Sequence, residues 1–100
     1  MAKLTFTEKE IAAEFKTEIA EMGGEIFYNE YNGVSAVILP NDNMDGFVRV
    51  YLTHCSPNDK FSKKRARLVL RERVYNDNYI LFPAFGGDYQ FVADWIIGIE

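Results

Sequence analysis

A chain of 100 residues with 48% hydrophobic content and three prolines is long enough to bury a modest core and is not the composition of a disordered tail. Residues 1–100 are therefore expected to form one compact domain. Eleven basic against fifteen acidic residues give a net charge of -4, which speaks against a chain that holds a long polyanion by bulk charge alone.

The first predicted element is a helix over residues 8–22. Thr7 and Glu10 stand at capping-box spacing, Phe6 and Ile11 stand where a hydrophobic staple closes, and Gly23-Gly24 supplies the stop. Ile11, Phe15, Ile19 and Met22 recur at spacings of four, four and three, an apolar stripe for a sheet to cover. Glu10, Glu14, Glu18 and Glu21 form an acidic stripe beside it, which is a solvated flank or an acidic contact surface.

Beyond Gly24 the helical period gives way to short β-rich runs. Residues 26–31 and 34–39 flank Asn32-Gly33 and read as an antiparallel hairpin. After Pro40 and the Asn-, Asp- and Gly-rich turn at 41–46, residues 47–55 alternate, with Val48, Val50, Leu52 and His54 expected to be the buried set. Residues 56–59 break the chain again.

Residues 60–73 hold seven of the eleven Lys and Arg side chains. From Arg65 onward Arg65, Arg67, Arg71 and Arg73 alternate with Ala66, Leu68, Leu70 and Val74, which predicts a strand over 63–75 with a row of guanidinium groups in water. A helix capped at Asp59 is the alternative. Turns at 76–78 and at Gly86-Gly87-Asp88 lead into strands at 79–82 and 89–97, the last of which is either a strand or a short helix. Pro83 belongs at a strand end or on an edge strand. The predicted fold class is α+β, one N-terminal helix on an antiparallel sheet of five or six strands, with the other sheet face partly in water.

Little in the chain points to catalysis. His54 is the lone histidine, and on a strand its neighbour Cys55 faces the other way, so the two cannot meet at one metal or pair as nucleophile and base without a bulge. Asp42 with Asp45 and Asp88 with Asp94 match no metal-loop pattern, and no phosphate-cradling glycine motif occurs. No enzyme activity, cofactor or metal is expected. Cys55, the single cysteine, reads as a buried structural thiol. The opening residues lack the apolar run of a signal peptide, and no run approaches the ~20 apolar residues of a membrane span, so a cytoplasmic chain without membrane association is expected.

Charge is segregated along the chain. Residues 1–45 carry three basic against nine acidic side chains, residues 46–75 eight against two, and residues 76–100 none against four. A basic sheet face of Arg49, Arg65, Arg67, Arg71 and Arg73, flanked by Tyr51 and Tyr75, has the cations and rings of a protein-binding surface. The acidic helix face of Glu10, Glu14, Glu18 and Glu21 would supply a second contact. The same arginines and tyrosines have the ingredients of a single-stranded nucleic-acid platform, which is the alternative. Trp95 and Ile97, on one parity of a terminal strand, would make an apolar patch that pairs or covers an open edge in a homodimer, or else are core residues of a monomer.

A short acidic chain with one helix, a strand meander, turns rich in Asn, Asp and Gly, and no enzyme signature resembles the small phage-encoded inhibitors of host machinery represented by anti-CRISPR proteins. The likeness is one of whole-chain character and transfers no residue. It implies a non-enzymatic inhibitor in the host cytoplasm whose partner is a protein complex, a CRISPR effector blocked in DNA recognition or nuclease recruitment.

Overall fold

Two overlapping capping-box spacings, Thr5 with Glu8 and Thr7 with Glu10, compete for the first helix start, and the earlier one wins. The Thr5 hydroxyl accepts the Glu8 N–H at 3.0 Å and the Glu8 carboxylate accepts the Thr5 N–H at 2.9 Å, which holds that carboxyl below its usual range. Helix α1 therefore spans Phe6–Glu21 in a computed structural model that describes residues 5–41, 46–56, 58–84 and 88–98. Phe6 lies inside the helix and is 76% exposed, so it closes no staple. Ala12, Phe15 and Ile19 form the buried stripe, Ile11 is half-buried, and Met22 is 48% exposed. Gly23 adopts φ +79, and Gly24 brings the helix end against the sheet: a Cβ there would overlap Leu39 and come within 2.6 Å of the Ile38 carbonyl oxygen.

Strands β1 (Glu25–Asn29), β2 (Val34–Pro40), β3 (Phe47–His54) and β4 (Ile80–Pro83) form one antiparallel sheet in that order. The β1–β2 pair closes at Asn29↔Val34, so the first strand stops short of the predicted Tyr31. The Asn29 carboxamide oxygen accepts the Tyr31 N–H at 3.0 Å, and this Asx turn ends the strand. Pro83 closes β4, an edge strand, as expected of a residue without an N–H.

The segment 63–75 is a helix and not a strand. Ser62 caps it, its hydroxyl accepting the Arg65 N–H at 3.3 Å, and α2 spans Lys63–Tyr75. Ala66, Leu70 and Val74, four apart, make its inward face, and Lys, Arg, Leu, Glu and Ala are strong helix formers. The terminal run is likewise a helix. The Asp88 carboxylate accepts the Phe91 N–H at 3.0 Å and starts α3, Tyr89–Ile97. With two predicted strands turned into helices, the sheet has four strands instead of five or six. The predicted turns at 42–45 and at Gly86-Gly87, the chain break at Pro57, the Asp42–Asp45 pair and the opening residues 1–4 lie outside the described residues.

Both sheet faces are covered, where one was expected to stand partly in water. On one face Val37, Leu39 and Tyr51 pack with Phe15 and Ile19 of α1 and Leu70 of α2. On the other, Phe27, Ala36, Ile38, Val48 and Val50 pack with Val92, Ala93 and Ile97 of α3. Of the set expected to be buried on β3, Val48 and Val50 are, Leu52 is half-buried, and His54 is exposed. The end of α3 is tied to the end of β1 and the following loop: Asn29 Nδ2 donates to the carbonyls of Ile97 and Gly98 at 3.1 and 2.6 Å, and Asn32 Nδ2 donates to Ile97 at 2.7 Å.

Ser35 sits fully buried on the α1–α2 face between Tyr28 and Thr53, and its hydroxyl has no hydrogen-bond partner. An unsatisfied buried hydroxyl destabilises the fold, so Ser35→Ala should raise stability by about 1 kcal/mol. Urea denaturation checks this, and a loss of similar size would mean that the hydroxyl is satisfied in solution.

Candidate functional site

Helices α1 and α2 lie side by side and run in the same sense, since Ala12 meets Arg67 and Glu18 meets Tyr75. This places Glu18 of the acidic stripe beside the C-terminal turn of α2. Glu10, Glu14 and Glu21 are exposed and Glu18 is half-buried.

The helix redistributes the arginines that a strand would have aligned. Arg67 and Arg71, four apart, share one flank, while Arg65, Val69 and Arg73, also four apart, share another. The flanks have different roles. Arg67 Nε donates to the Ala12 carbonyl at 3.0 Å and its Nη1 donates to the Tyr28 hydroxyl at 3.0 Å, so this guanidinium joins α2 to α1 and β1 instead of facing a partner. Arg71 stacks over the Tyr75 ring, its guanidinium carbon 4.3 Å from the centroid, and the Tyr75 hydroxyl donates to Glu18 at 3.4 Å. Tyr75 remains 58% exposed. Arg73 is exposed.

Arg49 and Tyr51 do not belong to an outward face either. Tyr51 is 1% exposed in the core under α1 and α2. Burial pushes its phenol above the ordinary value, against the opposing pull of Arg49. Arg49 reaches the Pro40 carbonyl and the Tyr51 hydroxyl at 3.4 Å and lies 5.7 Å from the Tyr79 ring centroid. The flat arginine–tyrosine platform expected on a sheet is thus not formed. Arg71 and Tyr75 with Glu18 are what the fold brings together, while Arg73 stands on the other flank of α2.

Arg65 stands apart and lines a cleft of about 240 Å³ between the end of β3 and the start of α2, with His54, Cys55, Asp59, Lys60 and Ser62. Strand alternation stops at His54, and His54 and Cys55 border the same cleft rather than opposite faces. The Cys55 thiol is half-buried and donates to the Ser56 and Asp59 carbonyls at 3.5 and 3.7 Å, a loop contact in place of the expected core position. Among the described residues, no three His, Cys, Asp or Glu side chains are grouped to hold a metal ion, and no helix is long and apolar enough to cross a membrane.

Sequence reasoning missed a second aromatic group. Tyr28 receives the Arg67 bond, carries Lys63 Nζ 5.1 Å over its ring, and meets the Phe61 ring edge-on at 6.3 Å. The i, i+4 spacing of Lys63 and Arg67 puts both cations on one helix flank, and no sequence pattern points to Tyr28 as their common partner. Comparison with protein-family models, curated proteins and solved structures finds no match.

Proposed function

We propose that the chain is a non-enzymatic protein-binding module that docks through its α1–α2 surface. The observation that carries this reading is the Arg71–Tyr75 stack, held against Glu18 of the parallel helix α1 with the Tyr75 ring still 58% exposed. Arginine and tyrosine held in fixed geometry are strong interface anchors, and adjoining patches of opposite sign orient a charged partner during encounter. In its finer form the reading is that of an inhibitor of a nucleic-acid-handling complex, a CRISPR effector in the case its character resembles. There the acidic stripe occupies a groove built for nucleic acid. Direct binding of single strands has less support, because Tyr51 and Arg67 are engaged inside the fold.

Affinity capture from a lysate of the source cell, comparing the natural chain with an Arg71→Glu/Tyr75→Ala variant, tests the reading. A defined complex should copurify with the natural chain, and the double variant should bind it about tenfold or more weakly with an unchanged fold. Equal capture by the two would reject this surface. Tight binding of generic oligonucleotides that falls steeply with salt would favour the nucleic-acid alternative.

A further inference from the structure

The sheet has two edges, and backbone register shows that they differ. The Cys55 N–H donates to the Gly33 carbonyl at 2.8 Å, so odd-numbered β2 residues bond to β3 and even-numbered ones to β1. Their partners Glu25, Phe27 and Asn29 turn their backbone groups inward, and Ile26 and Tyr28 turn theirs away from the sheet. On β4, the bond from the Ala84 N–H to the Gly46 carbonyl at 2.7 Å likewise leaves Leu81 and Pro83 facing outward. Proline has no N–H, so this edge offers one donor and is guarded. The β1 edge offers complete N–H and C=O pairs at two alternate residues, and β1 contains neither proline nor lysine.

Grooves flank that open edge on both sides. The one on the α1–α2 side, about 350 Å³, has an apolar floor of Ile19 and Ile26 and is bordered by three cations, Lys16, Lys63 and Arg67, and one acid, Glu25. On the α3 side, Phe27 and Ile97 line the other beside Gln90, with the acids Glu30 and Asp94 outnumbering its one cation, Lys63. A strand paired with β1 places the side chains opposite Ile26 and Tyr28 on their own face, which is the basic groove, and the alternate ones in the groove against α3.

We propose that the β1 edge binds an extended segment of a partner protein, added as a fifth strand, with acidic side chains at the positions hydrogen-bonded to Ile26 and Tyr28. Main-chain bonds supply affinity and the alternation of acidic and small apolar residues supplies selection. Charge argues against a second copy as occupant. Antiparallel pairing of β1 with its own kind would bring the two Lys16 and Lys63 sets toward each other and put Ile26 and Tyr28, not carboxylates, opposite them. The surface is separate from Arg71 and Tyr75, so its test does not depend on theirs.

The probe is a capped octapeptide alternating Glu and Val, titrated into the full chain labelled for amide NMR. The Ile26 and Tyr28 amide signals should shift and their hydrogen exchange should slow. A Lys–Val peptide should bind about tenfold more weakly, a Lys16→Glu/Lys63→Glu variant should weaken the Glu–Val peptide by about fivefold to tenfold, and N-methylation at the Glu positions should abolish binding. Both lysines are exposed, and the variant's unperturbed spectrum would confirm that it folds. Absence of shifts at Ile26 and Tyr28 at about millimolar peptide, or equal binding of the Lys–Val peptide, would overturn the proposal. So would a doubled mass in solution with these two amides already protected, the signature of a second copy on the edge.

Discussion

Truncating Phe15 to alanine is expected to cost about 3–5 kcal/mol, the range for removing a fully buried aromatic side chain. Phe15 is 1% exposed and packs among Ile19, Val37, Leu39, Tyr51 and Leu70, so the cavity is walled by both helices and the sheet and cannot collapse cheaply. Against the roughly 5–15 kcal/mol of a typical domain, the loss is a large share of the whole, and in a chain of this size each kcal/mol shifts the melting temperature by roughly 4–8 °C. Met22→Ala at the C-cap of the same helix, a half-exposed position, should change stability by less than about 1 kcal/mol. Paired denaturant melts of the two variants measure the contrast, and a Phe15→Ala loss below ~1 kcal/mol would mean that α1 is not seated on the sheet.

The second large effect is expected at Arg67, and it is one of stability instead of binding. Arg67→Glu removes two charge-assisted hydrogen bonds and turns a carboxylate toward the Ala12 carbonyl and the Tyr28 hydroxyl. A loss of about 2–4 kcal/mol follows. Arg73→Glu, an exposed position on the same helix, should stay within about 0.5 kcal/mol. Arg67→Met retains the aliphatic stem and should lie between them. Chemical denaturation of the three variants resolves the order, and an Arg67→Glu melt matching that of Arg73→Glu would show that the guanidinium does not bridge the helices in solution.

The contrast between Arg67 and Arg73 also shows where the sequence was ambiguous. Residues 65–75 satisfy a period of two through Ala66, Leu68, Leu70 and Val74, and equally a spacing of four through Ala66, Leu70 and Val74. Composition and the Ser62 cap break the tie toward a helix. The acidic stripe on α1 could be read in advance because its period belongs to the helix that forms. The basic row could not, since it depended on which of two periods the backbone would adopt. Likewise, β2 is buried from Ser35 to Leu39 without alternation, the mark of a strand covered on both faces, and this was available in the run of small and apolar residues at 35–39. A sheet face partly in water follows only if residues 89–97 form a strand, and as a helix they cover it.

Helix α3, the sole cover of one sheet face among the described residues, follows all four strands in the chain. During synthesis the sheet therefore leaves the ribosome before its cover, and Phe27, Ala36, Ile38, Val48 and Val50 stay uncovered for as long as α3 remains in the exit tunnel. Asn29 at the end of β1 and Asn32 in the following loop are already in place to receive the helix end when it emerges. A released chain truncated before Tyr89 should accordingly bind hydrophobic-surface chaperones, and restoring α3 should end that association.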